Sequence, residues 1–131
     1  MVLPRDHPLA DRTAIELSTL ATEDWVDNDS ARGWCRGNLI EACHAAGFAP
    51  PFRVEAHDYP MALAFVDAGI GITVLPGLAA RNLPEGVVSV PVIGPTPQRS
   101  IYAIVQTAAE DSPAVRSVLA TLRQLATAAS D

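Results

Sequence analysis

The stretch Ala64–Pro76, AFVDAGIGITVLP, limits what this chain can fold into more than any other segment. Ala64, Phe65 and Ala68 continue an apolar run begun at Met61 and Leu63, which predicts a helix with little polar face lying deep in a core. Gly69 is the natural left-handed terminator, because a residue without a Cβ takes positive φ at no steric penalty. Ile70, Ile72, Val74 and Leu75 then form a β-branched-rich run, and Gly71 inside it allows a neighbouring backbone to approach closely. Pro76 has no N–H for a ladder and ends the strand. A short apolar run reached from a helix by a tight turn predicts an α/β unit whose strand is covered on both faces.

The 131 residues, 49% hydrophobic and 18% charged, suffice for one domain with a real core. A formal charge of -6, with nine Lys and Arg in all, excludes a basic face that neutralises phosphates, so no direct DNA contact is expected of this chain alone. No apolar run reaches membrane-spanning length, and MVLPRDHPLADR carries charges where a signal peptide needs an unbroken apolar core. The expectation is a cytoplasmic protein. Cys35 and Cys43 fall eight positions apart on one predicted helix, about 12 Å along its axis, too far for a disulfide. They read as small buried residues. His7, His44 and His57 have no ligand spacing to either cysteine, so no metal or cofactor is expected.

Along the chain, residues 1–10 suit a short edge strand and an extended connector, with His7 capping or packing locally. Ile15, Leu17 and Leu20 are spaced for one side of a short helix that Ser18 could cap, and Trp25–Val26 reads as a short strand. Arg32–Ala46 predicts an amphipathic helix. At about 100° per residue, Cys35, Leu39, Ala42, Cys43 and Ala46 share one core-facing arc, while Trp34 falls outside it near Asn38 and Glu41. An indole so placed either packs under a loop or lines a pocket. Gly47 ends that helix, and Phe48 can fold back on it. Phe52, Val54 and Ala56 alternate with polar residues as a half-wet strand, Asp58 caps the helix of the opening stretch, Leu78–Asn82 is one surface turn, and Val87–Val92 is another strand. Arg99–Thr107 predicts a strand with Ile101, Ala103 and Val105 on one face. A helix from Pro113 follows, with an apolar stripe at Val115, Val118, Leu119, Leu122 and Leu125.

No catalytic constellation is present: there is no GxSxG, no phosphate-binding glycine loop and no HExxH, so no enzyme is expected. The glycines of AGIGI follow a helix and precede a strand, the reverse of the dinucleotide motif. What remains is a binding surface, and its best candidate is the junction Asn28–Trp34. Cap-forming polar residues, Arg32, free first-turn amides and an indole off the core stripe meet there at a helix N-terminus, which favours anions. An ordinary surface loop with a structural tryptophan fits the same composition.

The order DHPLA, LSTLATEDWV, ACHAAGFAP, AFVDAGIGITVLP, GVVSVPV, RSIYAIV and SPAVRSVLATL resembles the effector-binding domain of LysR-type transcriptional regulators over essentially the whole chain. The resemblance implies the type II periplasmic-binding-protein-like α/β fold, two subdomains joined by two crossover strands with an effector in the cleft. Residues 1–98 would be mostly the second subdomain, and 99–131 the returning strand and C-terminal helix of the first. The family's helix-turn-helix and the opening half of its first subdomain have no counterpart in these residues. By position, the implied second-subdomain contacts are Ser30, Arg32, Gly33 and Trp34. The function implied is that of a small-molecule effector-sensing regulatory domain, its effector anionic, with a solute-binding module of the same fold as the alternative. The apolar face of Arg99–Asp131, left without its family partner, implies a homodimer or higher oligomer.

Overall fold

The computed structural model describes residues 1–28 and 33–128, which divide into two units, Met1–Arg99 and Ser100–Asp131. The first unit holds β1 (Val2–Pro4), β2 (Ile15–Glu16), β3 (Trp25–Asp27), α1 (Trp34–Ala45), β4 (Phe52–Glu55), α2 (Tyr59–Asp67), β5 (Val87–Ser89) and β6 (Val92–Ile93). The second unit holds α3 (Pro113–Ala128).

The organising stretch sits at the middle of the first unit. β5 pairs antiparallel with β1, and β3 pairs parallel with β4. Ile72–Thr73 joins the two pairs through single bridges, antiparallel to Val2 and parallel to Trp25. Val2 and Thr73 exchange both backbone hydrogen bonds, while Val26 N–H donates to the Ile72 carbonyl and Ile72 N–H to that of Asp24, each at 2.8 Å. The last contact explains Gly71. A Cβ there would stand 2.5 Å from the Asp24 carbonyl oxygen. The predicted strand is therefore shorter than expected: Ile70 lies half exposed, and Val74 onward leaves the ladder.

Side chains alternate across this sheet and so define two cores. Leu3, Trp25 and Ile72 point to the side packed with Leu39 and Cys43 of α1, whereas Val2 and Val26 point to the side packed with Ala62, Leu63 and Val66 of α2. Burial pushes the Cys43 thiol up to about 11, as suits an inert core cysteine. Both faces are covered, as the sequence predicts. Gly69 (φ 72°) and Gly47 (φ 90°) take left-handed conformations at the ends of α2 and α1, and the Asp58 carboxylate accepts from Met61 N–H at 2.8 Å. Phe48 folds back against Trp25, ring centroids 6.1 Å apart. His7 acts locally, its Nδ1 accepting from Leu9 N–H and its Nε2 lying 3.4 Å from Glu23.

Several expectations need correction. α2 is not buried all round, because Met61 and Ala64 face solvent. Ser18 does not cap the short 3-10 turn Leu17–Leu20 but lies inside it; the turn starts after Glu16, whose carbonyl accepts from the Thr19 hydroxyl at 2.7 Å. Val87–Val92 is two strands, not one. Pro91 cannot donate, so the chain changes partner there, β5 to β1 and β6 to β2. Residues 100–106 form no strand: extended backbone needs a ladder, and among the described residues none forms there, with Ile104 94% exposed. In the second unit Arg116 N–H donates to the Ser112 carbonyl at the start of α3, and Val118, Leu122 and Leu125 stand exposed along it.

The Met1 ammonium donates to the Val90 carbonyl at 2.8 Å in a buried setting that pushes it from 8.0 down to about 6. Between pH 6 and 8 the unfolded chain thus binds the proton that the folded chain has lost, so stability rises with pH across that window. The full difference is worth roughly 2–3 kcal/mol. Urea unfolding of the polypeptide beginning at Met1 should show its midpoint higher at pH 8 than at pH 6, and a fall over that range would contradict the burial of the amine.

Candidate functional site

In sheets built from parallel strands, ligands bind beyond the carboxyl ends of the strands, where the chain leaves the ladder and backbone and side chains become free to contact them. Here the parallel neighbours are β3 and the Ile72–Thr73 segment, and the residues after each lie side by side. Asn28, next after β3, donates through Nδ2 to Thr73 Oγ1 at 2.8 Å and to the Val74 carbonyl at 2.5 Å. The buried Thr73 hydroxyl donates in turn to the Val26 carbonyl at 3.0 Å, so that hydroxyl both accepts and donates.

Beyond the joint opens a half-open cavity of about 70 Å³. One wall is Asn28 with Val74, Leu75 and Pro76; a second is Cys35, Asn38 and Leu39 on one side of α1; Pro97, Gln98 and Arg99 close the third. α1 is held in place by Arg36, whose Nε donates to Asp27 Oδ2 and whose guanidinium lies 5.2 Å from the Phe52 ring centre. Asp27 is only 3% exposed, so this pair fixes the first turn of α1 to the end of β3. The segment 97–99 is tied to α1 in turn: Asn38 Nδ2 donates to the Gln98 carbonyl, and Arg99 Nη1 donates to Cys35 Sγ at 3.4 Å. The cavity therefore offers one guanidinium, three carboxamides and an apolar floor. Among the described residues no group of three or more His, Cys, Asp or Glu could hold a metal ion.

Of the four contact residues expected from the sequence, Ser30 and Arg32 lie outside the described residues. Gly33 is the N-cap of α1 in extended conformation, and Trp34 is its first residue. The indole is 90% exposed and outside the cavity lining, so among the described residues it neither packs under a loop nor lines that pocket. Cys35, the next residue, and Asn28, at the other end of the predicted junction, do line it. Cys35, placed by angular arithmetic on the core arc, is only partly buried because the first turn of α1 overhangs the cavity rather than the core. Asn38, Gln98, Arg99 and Val74–Pro76 were not singled out as site residues. The signal for Asn38 was its place off the core arc, whereas VLP read only as strand. Because Trp34 packs on so little, Trp34→Ala should leave the unfolding free energy within about 0.5 kcal/mol while removing the red-shifted, acrylamide-quenchable part of the fluorescence, with buried Trp25 supplying the rest. A large loss of stability would show that the indole packs.

The family model described as "LysR substrate binding domain" matches residues 1–127. The HTH-type transcriptional regulator ShiR of Corynebacterium glutamicum is 31% identical over 93 residues, 70% of this chain and 32% of that protein. Among solved structures, the C-terminal domain of a probable LysR family regulator from Rhodococcus sp. RHA1 is 32% identical, with TM-score 0.61 over 74% of this chain and 48% of that one. The effector-binding domain of QuiR in complex with shikimate is 18% identical and matches in fold, with TM-score 0.62 over 72% of this chain and 44% of that one. The chain spans about a third of the length of the curated relatives it matches.

Proposed function

Because the chain belongs to the LysR substrate-binding-domain family, with its type II periplasmic-binding-protein-like α/β fold, we propose that it is the part of a transcriptional regulator that senses a small-molecule effector rather than an enzyme. The observation that carries the proposal is the cavity at the carboxyl ends of β3 and the Ile72–Thr73 segment, lined by groups that bind but perform no evident chemistry. The effector is small and anionic, drawn to Arg99, whose only described partner is a thiol in a chain that carries fifteen carboxylates. Ser30, Arg32, Gly33 and Trp34 remain candidate contacts on the α1 side. The regulator works in the cytoplasm, and occupancy shifts how its subunits pack. A homodimer or higher oligomer forms through the apolar face of α3, since leaving Val118, Leu122 and Leu125 in water forgoes on the order of 1.5–3 kcal/mol each.

Two measurements test this. A thermal-shift screen of small metabolites should find one that raises the melting temperature saturably, and Leu39→Trp, which fills the cavity, should abolish that rise. A screen without binders, or binders indifferent to Leu39→Trp, would overturn the reading. Sedimentation at micromolar protein should show no dominant monomer, and Leu122→Asp with Leu125→Asp should produce monomer or aggregate. A well-behaved monomer in the unmutated chain would remove the oligomer.

A further inference from the structure

The hydrogen-bonding inventory of the cavity specifies its ligand more narrowly than "anion". Asn28 has spent both N–H groups of its carboxamide, on Thr73 Oγ1 and the Val74 carbonyl. The backbone carbonyl fixes the orientation of that amide, because the flipped form would set two oxygens against each other. Among the described residues its open atom is therefore Oδ1, an acceptor. Asn38 is fixed in the same way, Nδ2 donating to the Gln98 carbonyl, and its Oδ1 likewise has no partner among the described residues. Arg99 uses one of its five N–H donors on Cys35 Sγ and pairs with no described carboxylate. The rest of the lining is Gln98, a third carboxamide, together with Cys35 and the apolar Leu39, Val74, Leu75, Pro76 and Pro97.

One cationic donor fork beside two fixed acceptors is matched by a molecule that carries a carboxylate and, a few bonds away, at least one hydroxyl that donates. An unsubstituted carboxylate would satisfy Arg99 but offer no donor to either Oδ1 atom. A second carboxylate in their place would face oxygen with oxygen. Resting on the effector-binding reading, we propose that the cavity selects small hydroxycarboxylates, with the carboxylate on Arg99 and a hydroxyl donating to Asn38 Oδ1.

The test is calorimetry on the full chain with matched probes: shikimate against 1-cyclohexene-1-carboxylate, L-malate against succinate, and L-lactate against propionate, with shikimate methyl ester and lactamide to remove the charge. At least one hydroxy acid should bind saturably, and its counterpart without the hydroxyl should bind about tenfold more weakly or worse, as should the neutral form where one is included. Arg99→Gln should reduce the affinity for that hydroxy acid about tenfold or more, and Asn38→Leu should erase its advantage over its deoxy counterpart. Both side chains lie outside the cores, so each variant should melt near the unmutated protein, which separates lost recognition from lost folding. Equal affinity for a hydroxy acid and its deoxy counterpart, or no binding by any of the three acids, overturns the proposal. A parallel screen of amino acids, nucleosides and phenols distinguishes the two levels. A binder there that Leu39→Trp abolishes leaves effector sensing standing while the hydroxycarboxylate assignment falls, and an empty screen of both sets removes both.

Discussion

Trp25→Ala should cost about 3–5 kcal/mol, the usual range for truncating a fully buried tryptophan. The side chain is wholly buried where the core side of the sheet meets α1, its ring against Phe48, and its Nε1–H donates to the Leu20 carbonyl at 3.1 Å. Truncation leaves a cavity and strips that buried carbonyl of its partner. For a unit of this size the whole stability is about 5–15 kcal/mol, so much of the population should unfold at mild urea. Trp25→Phe, which keeps most of the volume but loses the donor, should fall between the two. Urea unfolding followed by circular dichroism checks the series, and a loss under 1 kcal/mol for Trp25→Ala would mean that the residue is not central to the core.

A comparable loss is expected from one added methyl group. Gly71→Ala places a Cβ 2.5 Å from the Asp24 carbonyl oxygen and 2.9 Å from its carbon, both backbone atoms that cannot swing aside. Relief requires separating Ile72 from Asp24, which breaks a 2.8 Å hydrogen bond and loosens the link between β1 and β3. Overpacking of this kind costs about 1–3 kcal/mol or more, and here it acts on the segment that joins the sheet's two halves. Gly37→Ala makes the contrast. It lies inside α1 with nothing within 4 Å of the added group and should stabilise by about 0.5–1 kcal/mol, the helix preference of alanine over glycine. Equal effects of the two substitutions would contradict the close approach at Gly71.

The helices and their ends were legible because their causes are local: Asp58 as a cap, Gly47 and Gly69 as left-handed stops, Leu39, Ala42 and Cys43 on one arc. The strand at Ile101–Val105 was misjudged because alternation marks an extended segment but cannot supply its partner, and nothing in the local pattern says whether one is there. The cavity was only half legible. Asn28 and Val74 stand 46 positions apart and meet because Trp25 and Ile72 pair in parallel, a register that no local pattern contains. The sequence did point to the start of α1, whose first turn overhangs the cavity, but it selected Trp34, which is exposed, over Asn38, which lines the wall. Both are polar-side positions of the same helix, and only the third dimension separates them. Arg99 read as the first residue of a strand, whereas its place in the cavity depends on the turn that brings 97–99 back to α1.

The central claim is that a small molecule is held beyond the carboxyl ends of β3 and the Ile72–Thr73 segment. Titration of the uniformly nitrogen-15-labelled full chain with whichever compound raises its melting temperature, followed by amide NMR, addresses that location directly. The largest saturable shifts should fall on the Asn28 and Asn38 side-chain amides and on the backbone amides of Val74, Leu75, Gln98 and Arg99, with β2 and β6 unmoved. A compound that saturates the protein while those signals stay in place, and others far from them move, would contradict the account.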